Sequence, residues 1–78
     1  MHELSLAESV LQIVEEHVQE CRCVKAIHLE IGEHAGVDRD ALKFCLELVC
    51  ANSIAEGAAI EIAEVAGMAM RVVALEVI

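Results

Sequence analysis

Residues 24–49, VKAIHLEIGEHAGVDRDALKFCLELV, decide the fold because the spacing of their apolar residues changes from a period of two to a helical period. Alternation over residues 24–31 predicts a strand with one buried face. The side chains expected on that face are Ile27, Leu29 and Ile31. Residues 32–36 form a loop, and Asp38 is the expected cap of a helix. Four apolar residues at helical spacing predict that second element: Leu42, Cys45, Leu46 and Val49.

The segment before this stretch has the pattern of a helix with one buried face. Its apolar residues recur at intervals of three and four, up to about residue 20: Leu4, Ala7, Val10, Leu11, Val14 and Val18. Ser5 and Glu8 match a capping box, in which each side chain satisfies an unpaired amide of the first turn. Two starts stay open, one at Ser5 with residues 1–4 as a short arm, and one nearer His2.

The segment after it alternates twice more. Residues 59–65 and 70–78 are predicted strands, separated by a turn at Ala66 and Gly67. The last strand is expected to place three apolar side chains on one face: Val73, Leu75 and Val77. We expect the first two strands to be parallel, because a helix joins them, and the last two to form an antiparallel hairpin. The predicted fold is α+β: two helices pack on one face of a three-stranded mixed β-sheet, in the order helix, strand, helix, strand, strand.

The composition bounds the class of protein. The chain has 78 residues, 58% of them are apolar and Phe44 is the only aromatic one, so we expect one domain with an aliphatic core. The net charge of −9 argues against nucleic acid and against anionic membrane surfaces as partners. No apolar run reaches the roughly 20 residues of a membrane span, and residues 1–10 do not resemble a signal peptide. We therefore expect a cytoplasmic protein with free thiols.

The first three residues, Met1, His2 and Glu3, are the candidate metal site. The terminal amine, the backbone nitrogen of His2 and the near nitrogen of its imidazole can close two fused rings on one metal ion. Three nitrogens in one plane suit Ni(II) or Cu(II), whereas Zn(II) prefers four tetrahedral ligands. Many chains begin with Met-His, so the alternative is a solvated terminus that binds no metal.

Three segments resemble the family of the hydrogenase nickel-incorporation protein HypA. They are MHELSLAESV at residues 1–10, IHLEIGEHAGVDRDALKFCLELVCANSIAEGAAIEI at residues 27–62, and RVVALEVI at residues 71–78. The resemblance covers residues 1–65 and about 70–78. It depends on the combination of MHE-x-SLA, IG before the second helix, L-x-F within that helix, and AEG before the second strand.

The resemblance implies a metallochaperone that delivers Ni(II) during maturation of nickel-iron hydrogenase. It implies two partners, a HypB-type GTPase and the hydrogenase large subunit. In the family His2 is the nickel ligand, and Met1 and Glu3 contribute through the terminus, the backbone or the side chain; all three positions match here. Because no catalytic constellation, phosphate loop or glycine fingerprint is present, we interpret the protein as a non-enzyme.

One departure from the family pattern is large. Family members carry a zinc domain with two C-x-x-C pairs before the last strand, and here about five residues, Ala66 to Met70, span that position. None of the four cysteines belongs to such a pair, so we expect no zinc and a single nickel-binding domain over residues 1–78. If the last strand must pair beside the first, so short a connection is strained, and we hypothesise a domain-swapped homodimer.

For four other residues, the sequence allows either a functional role or a position on the solvated surface. His28 and Glu30 share the outward face of the first strand, where they form either a second, labile metal site or a solvated surface. His34 lies in a loop that can approach His2. His17 is expected to be a partly exposed residue of the first helix.

The cysteines define the weakest of three functional interpretations. Cys21 and Cys23 form a C-x-C pair that can bind soft metals or oxidise, whereas Cys45 fits the apolar stripe of the second helix and Cys50 is expected to be a core residue. A redox or soft-metal protein therefore ranks behind the nickel metallochaperone. It also ranks behind a small protein-interaction module that keeps the fold and a partner-docking surface without nickel delivery.

Overall fold

The computed structural model describes residues 2–20 and 23–78. Two helices and three strands follow in the predicted order: α1 His2–His17, β1 Val24–Gly32, α2 Arg39–Cys50, β2 Ala59–Val65 and β3 Met70–Val77. Both helices pack on one face of a mixed sheet, so the predicted α+β architecture is confirmed. No helix within these residues combines the length and the apolar content needed to cross a bilayer.

The core lies between the helices and the inner face of β1. Its largest fully buried side chains are Val10, Val14, Val24, Ile27, Leu29, Ile31, Leu42 and Leu46. Burying one such side chain stabilises the fold by about 1.5–3 kcal/mol. The single aromatic residue, Phe44, is 61% exposed, so the expected aliphatic core is confirmed.

The start of α1 lies at His2, which decides between the two starts that the sequence left open. Ser5 is inside the helix, where its carbonyl accepts a hydrogen bond from the Ser9 hydroxyl at 3.1 Å, so the predicted capping box is wrong. A contact from outside the helix holds the first turn: the Glu3 carboxylate accepts a hydrogen bond from the backbone N–H of Asp38. The helix ends at His17, earlier than the spacing predicts.

Strand β1 lies at the centre of the sheet, whose order is β2-β1-β3. β1 and β2 are parallel, as predicted, and β3 is antiparallel to β1. The predicted hairpin of β2 and β3 is therefore wrong. A hairpin would leave one side of the buried β1 without hydrogen-bond partners, whereas a central β1 satisfies its backbone groups on both sides.

The linker of residues 66–69 crosses the end of β1 at Gly32. The N–H groups of Gly32 and His34 donate hydrogen bonds to the carbonyls of Ala69 and Gly67, at 2.7 and 2.9 Å. A Cβ atom on Gly32 would lie 2.3 Å from the Gly67 carbonyl oxygen, so this close approach requires glycine. β3 reaches β1 of the same chain through this short connection, and the hypothesis of strand exchange stays a prediction.

A β-bulge at Val73 changes the face pattern of β3. The register with β1 passes from Ala74 to Val72, so Val73 is the extra residue. Val72 and Leu75 pack against the core, whereas Val73 is 43% exposed. The prediction that Val73, Leu75 and Val77 share one face is wrong, because the bulge reverses the alternation.

Candidate metal centre

His2 is the first residue of α1, and its side chain is exposed. The first four N–H groups of a helix have no carbonyl partner within that helix. A metal ion can therefore take the backbone nitrogen of His2 without breaking a helical hydrogen bond. Met1, the other nitrogen donor of the predicted chelate, lies outside the described residues.

The Glu3 side chain joins the start of α1 to the start of α2. Its Oε2 accepts a hydrogen bond from the backbone N–H of Asp38 at 3.1 Å. Hydrogen bonds to the Glu3 carboxylate, among them the one from the Asp38 N–H, lower the pKa of its carboxyl from 4.5 to about 2. The side chain is therefore a carboxylate at neutral pH.

Asp38 is the N-cap of α2, as the sequence predicts. Its Oδ1 accepts hydrogen bonds from the N–H groups of Asp40 and Ala41, at 3.0 and 3.1 Å. Asp38 thus binds α1 through its backbone and caps α2 through its side chain. We call this region the amino-terminal corner, which comprises residues 2–3, 32–38 and 66–69.

The electrostatics of the amino-terminal corner combine two opposing contributions. The starts of two helices meet there, and each helix start has a partial positive charge. Carboxylates in or before the first turns of these helices oppose that charge: Glu3, Asp38 and Asp40. The acidic residues make the corner more favourable for a cation than two bare helix starts would be.

Two of the other histidines, His34 and His17, contact residues that are close to them in the chain. His34 is exposed, with its Nε2 3.4 Å from Oε1 of Glu33. His17 lies at the opposite end of α1, with its Nδ1 2.8 Å from the carbonyl oxygen of Ile13. None of the contacts of the described residues joins either imidazole to His2, so the predicted approach of His34 to His2 has no contact to support it.

The outward face of the sheet holds one hydrogen bond to a histidine and one ion pair that the sequence does not predict. His28 Nε2 lies 2.7 Å from Oε2 of Glu76, and the Arg71 guanidinium donates a hydrogen bond to Glu30 at 2.9 Å. The partners are far apart in the chain, so only the register of β3 on β1 identifies them. Within residues 2–20 and 23–78, no three His, Cys, Asp or Glu side chains are arranged to hold a metal ion.

The described cysteines do not form a site. Cys50 is 3% exposed, and burial, followed by the nearby Glu15 carboxylate, raises the pKa of its thiol. Cys45 packs against the core, and Cys23 is half-buried just before β1. Structural zinc needs thiolates that converge on one ion, so these three thiols do not fit a zinc site; Cys21 lies outside the described residues.

The sequence matches a family model described as "Hydrogenase/urease nickel incorporation, metallochaperone, hypA" over residues 1–70. It is 48% identical over 71 residues to the hydrogenase maturation factor HypA of Azotobacter chroococcum mcd 1, covering 88% of this chain and 63% of that protein. It is 51% identical over 69 residues to HypA of Dechloromonas aromatica (strain RCB), covering 86% and 61%. The chain spans about three fifths of the length of these curated relatives.

The fold is similar to one determined by solution methods. The solution structure of the Ni metallochaperone HypA from Helicobacter pylori superposes with a TM-score of 0.86, covering 99% of this chain and 97% of that one. At 18% sequence identity, this likeness concerns the fold alone. The family match and the identities to curated relatives show that this chain belongs to the HypA family of nickel-incorporation metallochaperones, which serve hydrogenase maturation.

Proposed function

We propose that this chain carries Ni(II) as cargo and binds it through its amino terminus. The ligands are the amine of Met1, the backbone and imidazole nitrogens of His2, and a fourth donor from Glu3 or a neighbour. The observation that carries the proposal is the start of α1 at His2. This start leaves the His2 backbone nitrogen outside the helical hydrogen bonds and its imidazole exposed.

The donor set determines how binding responds to pH and to competing metals. Nitrogen ligands bind metal only when deprotonated, so affinity falls as the solution is acidified. Three nitrogens in one plane suit Ni(II), but the intrinsic order of affinities places Cu(II) above Ni(II). Selectivity in the cell then depends on which metal is available.

Glu3 contributes to the site through its position as well as its donors. Its carboxylate accepts the Asp38 N–H, which ties the first turn of α1 to α2. A chelate on an unanchored terminus would lose more conformational freedom when the metal binds. The anchored turn reduces that cost for His2.

The whole-protein role follows the family. The cargo is delivered during maturation of nickel-iron hydrogenase, with a HypB-type GTPase and the hydrogenase large subunit as partners, in the cytoplasm. Residues 1–78 act as one nickel-binding domain, without resident zinc and without enzymatic activity. The association of two such domains into a homodimer belongs to the same proposal.

A second candidate is a protein-interaction module in which the terminal chelate is idle. It is favoured by two apolar side chains one turn apart on α2, Phe44 and Leu48, which are 61% and 57% exposed. Exposed apolar side chains that lie together mark contact surfaces for other proteins. The two candidates differ in whether His2 matters.

The deciding experiment is calorimetric titration of Ni(II) into untagged protein at neutral pH. Wild type is expected to bind one Ni(II) per chain, and His2→Ala is expected to abolish binding while the melting temperature stays unchanged, because His2 is exposed. His17→Ala, which removes an exposed imidazole at the opposite end of α1, is the matched control and should bind as wild type does.

A second variant tests the terminus without changing any residue of the chain. Acetylation of the Met1 amine removes that nitrogen as a donor, so it should weaken binding as strongly as His2→Ala. Equal nickel binding by wild type, His2→Ala and the acetylated chain would exclude the amino-terminal site and leave the interaction module.

A further inference from the structure

The two edge strands of the sheet differ in their charges. β2 carries two exposed residues of the same sign, Glu61 and Glu64. β3 carries two of opposite sign, Arg71 and Glu76. Like charges on an edge strand disfavour pairing with a copy of itself, whereas opposite charges favour such pairing in a suitable register.

The backbone groups at the free edge of β3 can be identified from its hydrogen bonds to β1. Gly32 donates to the Ala69 carbonyl, and Ile78 donates to the Cys23 carbonyl, so Ala69 and Ile78 point towards β1. Successive residues of a strand point to alternate sides. The residues whose N–H and C=O groups point away from β1 are therefore Met70, Val72, Leu75 and Val77.

The bulge at Val73 makes this edge complementary to itself. In a regular strand, residues three apart lie on opposite faces, but here Val72 and Leu75 both pack towards the core. Arg71 and Glu76 both lie on the outward face, where they contact Glu30 and His28 of β1 respectively. A copy rotated by a two-fold axis perpendicular to the sheet can then match both faces.

Resting on the homodimer that belongs to the proposed function, we propose that its two copies associate by antiparallel pairing of β3 with β3, forming a continuous six-stranded sheet. Val72 pairs with the partner's Leu75, and Met70 pairs with the partner's Val77. The same register places Arg71 opposite the partner's Glu76. Because the axis makes the contact isologous, each pair occurs twice.

The outward charges then form a ladder across the interface. Glu30 binds Arg71 within one copy, Arg71 meets the partner's Glu76, and that carboxylate binds the partner's His28. Opposite charges directly across an antiparallel pair stabilise it, and like charges destabilise it. The ladder therefore selects this register over shifted ones.

An apolar groove on the inner side of β3 indicates what the second copy covers. The groove has a volume of about 440 Å³ and lies between the end of α1 and β3. Ile13 and Val77, two of its lining residues, are 38% and 44% exposed. The two-fold axis keeps both helical layers on one side of the sheet, so the partner's α1 faces this groove and covers its apolar surface.

The test is the mass in solution across a dilution series, measured by sedimentation. Each copy has a net charge of −9, so the buffer holds about 0.15 M salt, where the Debye length is about 8 Å. Wild type is expected to reach twice 8.4 kDa at high concentration. A single-copy mass at every concentration would overturn the proposal and leave the edge to a strand of another protein.

Charge reversal identifies the register. Arg71→Glu and Glu76→Arg each place like charges opposite each other in both halves of the interface, so each should weaken self-association about tenfold or more. Mixing the two variants should restore a dimer, because positions 71 and 76 then carry unlike charges where they face each other across the interface. Lys43→Glu makes the same charge change on α2 and is the control, which should associate as wild type does.

A mixed dimer also shows that both variants are folded. The conditions under which it forms distinguish edge pairing from strand exchange. An edge-to-edge dimer forms when the folded variants are mixed in native buffer. A mixed dimer that appears only after unfolding and refolding together would indicate exchange of β3 and overturn the proposal. Equal association of wild type and both single variants would do the same, because the register requires Arg71 to face Glu76.

Discussion

The two ends of α1 lie in opposite environments. Its start belongs to the amino-terminal corner, where Glu3 binds the N-cap of α2 and the linker crosses Gly32 through backbone hydrogen bonds. Its end, at His17, lines the open apolar groove beside β3. Polar contacts hold one end in place, and the other end leaves apolar surface uncovered.

This difference fits the two tasks that we propose for the two ends. The proposed nickel chelate needs a fixed platform and a backbone nitrogen outside the helical hydrogen bonds, and the first residue of α1 has both. Association with another chain needs exposed apolar surface that is removed from water when the chains meet. The groove at the end of α1 provides such a surface. The same helix can thus serve metal binding at its start and association at its end.

The largest expected effect comes from breaking the crossing at Gly32. Gly32→Ala places a methyl group 2.3 Å from the Gly67 carbonyl oxygen, so the linker must move and β3 loses part of its pairing. We expect a loss of about 3 kcal/mol in the free energy of unfolding, at the upper end of overpacking effects. Chemical denaturation measures it.

The control for this prediction is Gly36→Ala. Gly36 has a φ of +73° but open space around its Cβ position, so only the backbone conformation opposes a side chain there. The expected cost is about 1 kcal/mol. Equal losses for both variants would mean that the contact between the linker and Gly32 contributes nothing.

A smaller effect is expected from Asp38→Ala, which separates the two functions of Asp38. The substitution removes the side-chain cap of α2 and costs about 1 kcal/mol, whereas Asp38→Asn keeps an accepting oxygen and costs less. The backbone N–H that binds Glu3 remains, so Asp38→Ala and Asp38→Asn, which remove the same negative charge from the corner, should lower nickel affinity slightly and equally by calorimetry. A larger loss of affinity for Asp38→Ala than for Asp38→Asn would show that α2 itself must be capped to hold the start of α1.

The smallest effect on stability is expected at the open end of α1. Ile13→Ser removes a partly exposed side chain from the groove and should change the free energy of unfolding by no more than about 0.5 kcal/mol. Sedimentation should nevertheless detect weaker association, because the side chain faces the second copy. Unchanged association would mean that the groove lies outside the interface.

Residue patterns alone predicted most of the local structure. The alternation of β1 identified its buried face, Asp38 was identified as the cap of α2, and β2 begins and ends where predicted. The chemistry of a histidine beside an amino terminus named the first three residues as a site for Ni(II) or Cu(II), and the family resemblance favoured nickel; this site remains a proposal. These features depend on residues that are neighbours in the chain, and a sequence displays such relations directly.

Only the tertiary structure decided how the elements join. It placed β3 beside β1, decided that α1 starts at His2 and showed the bulge at Val73. The contacts responsible join residues that are 35 positions apart for Glu3 and Asp38, and 48 apart for His28 and Glu76. Hydrophobic spacing reports which face of an element is buried but not which element covers it, because that choice depends on satisfying backbone groups across the whole sheet.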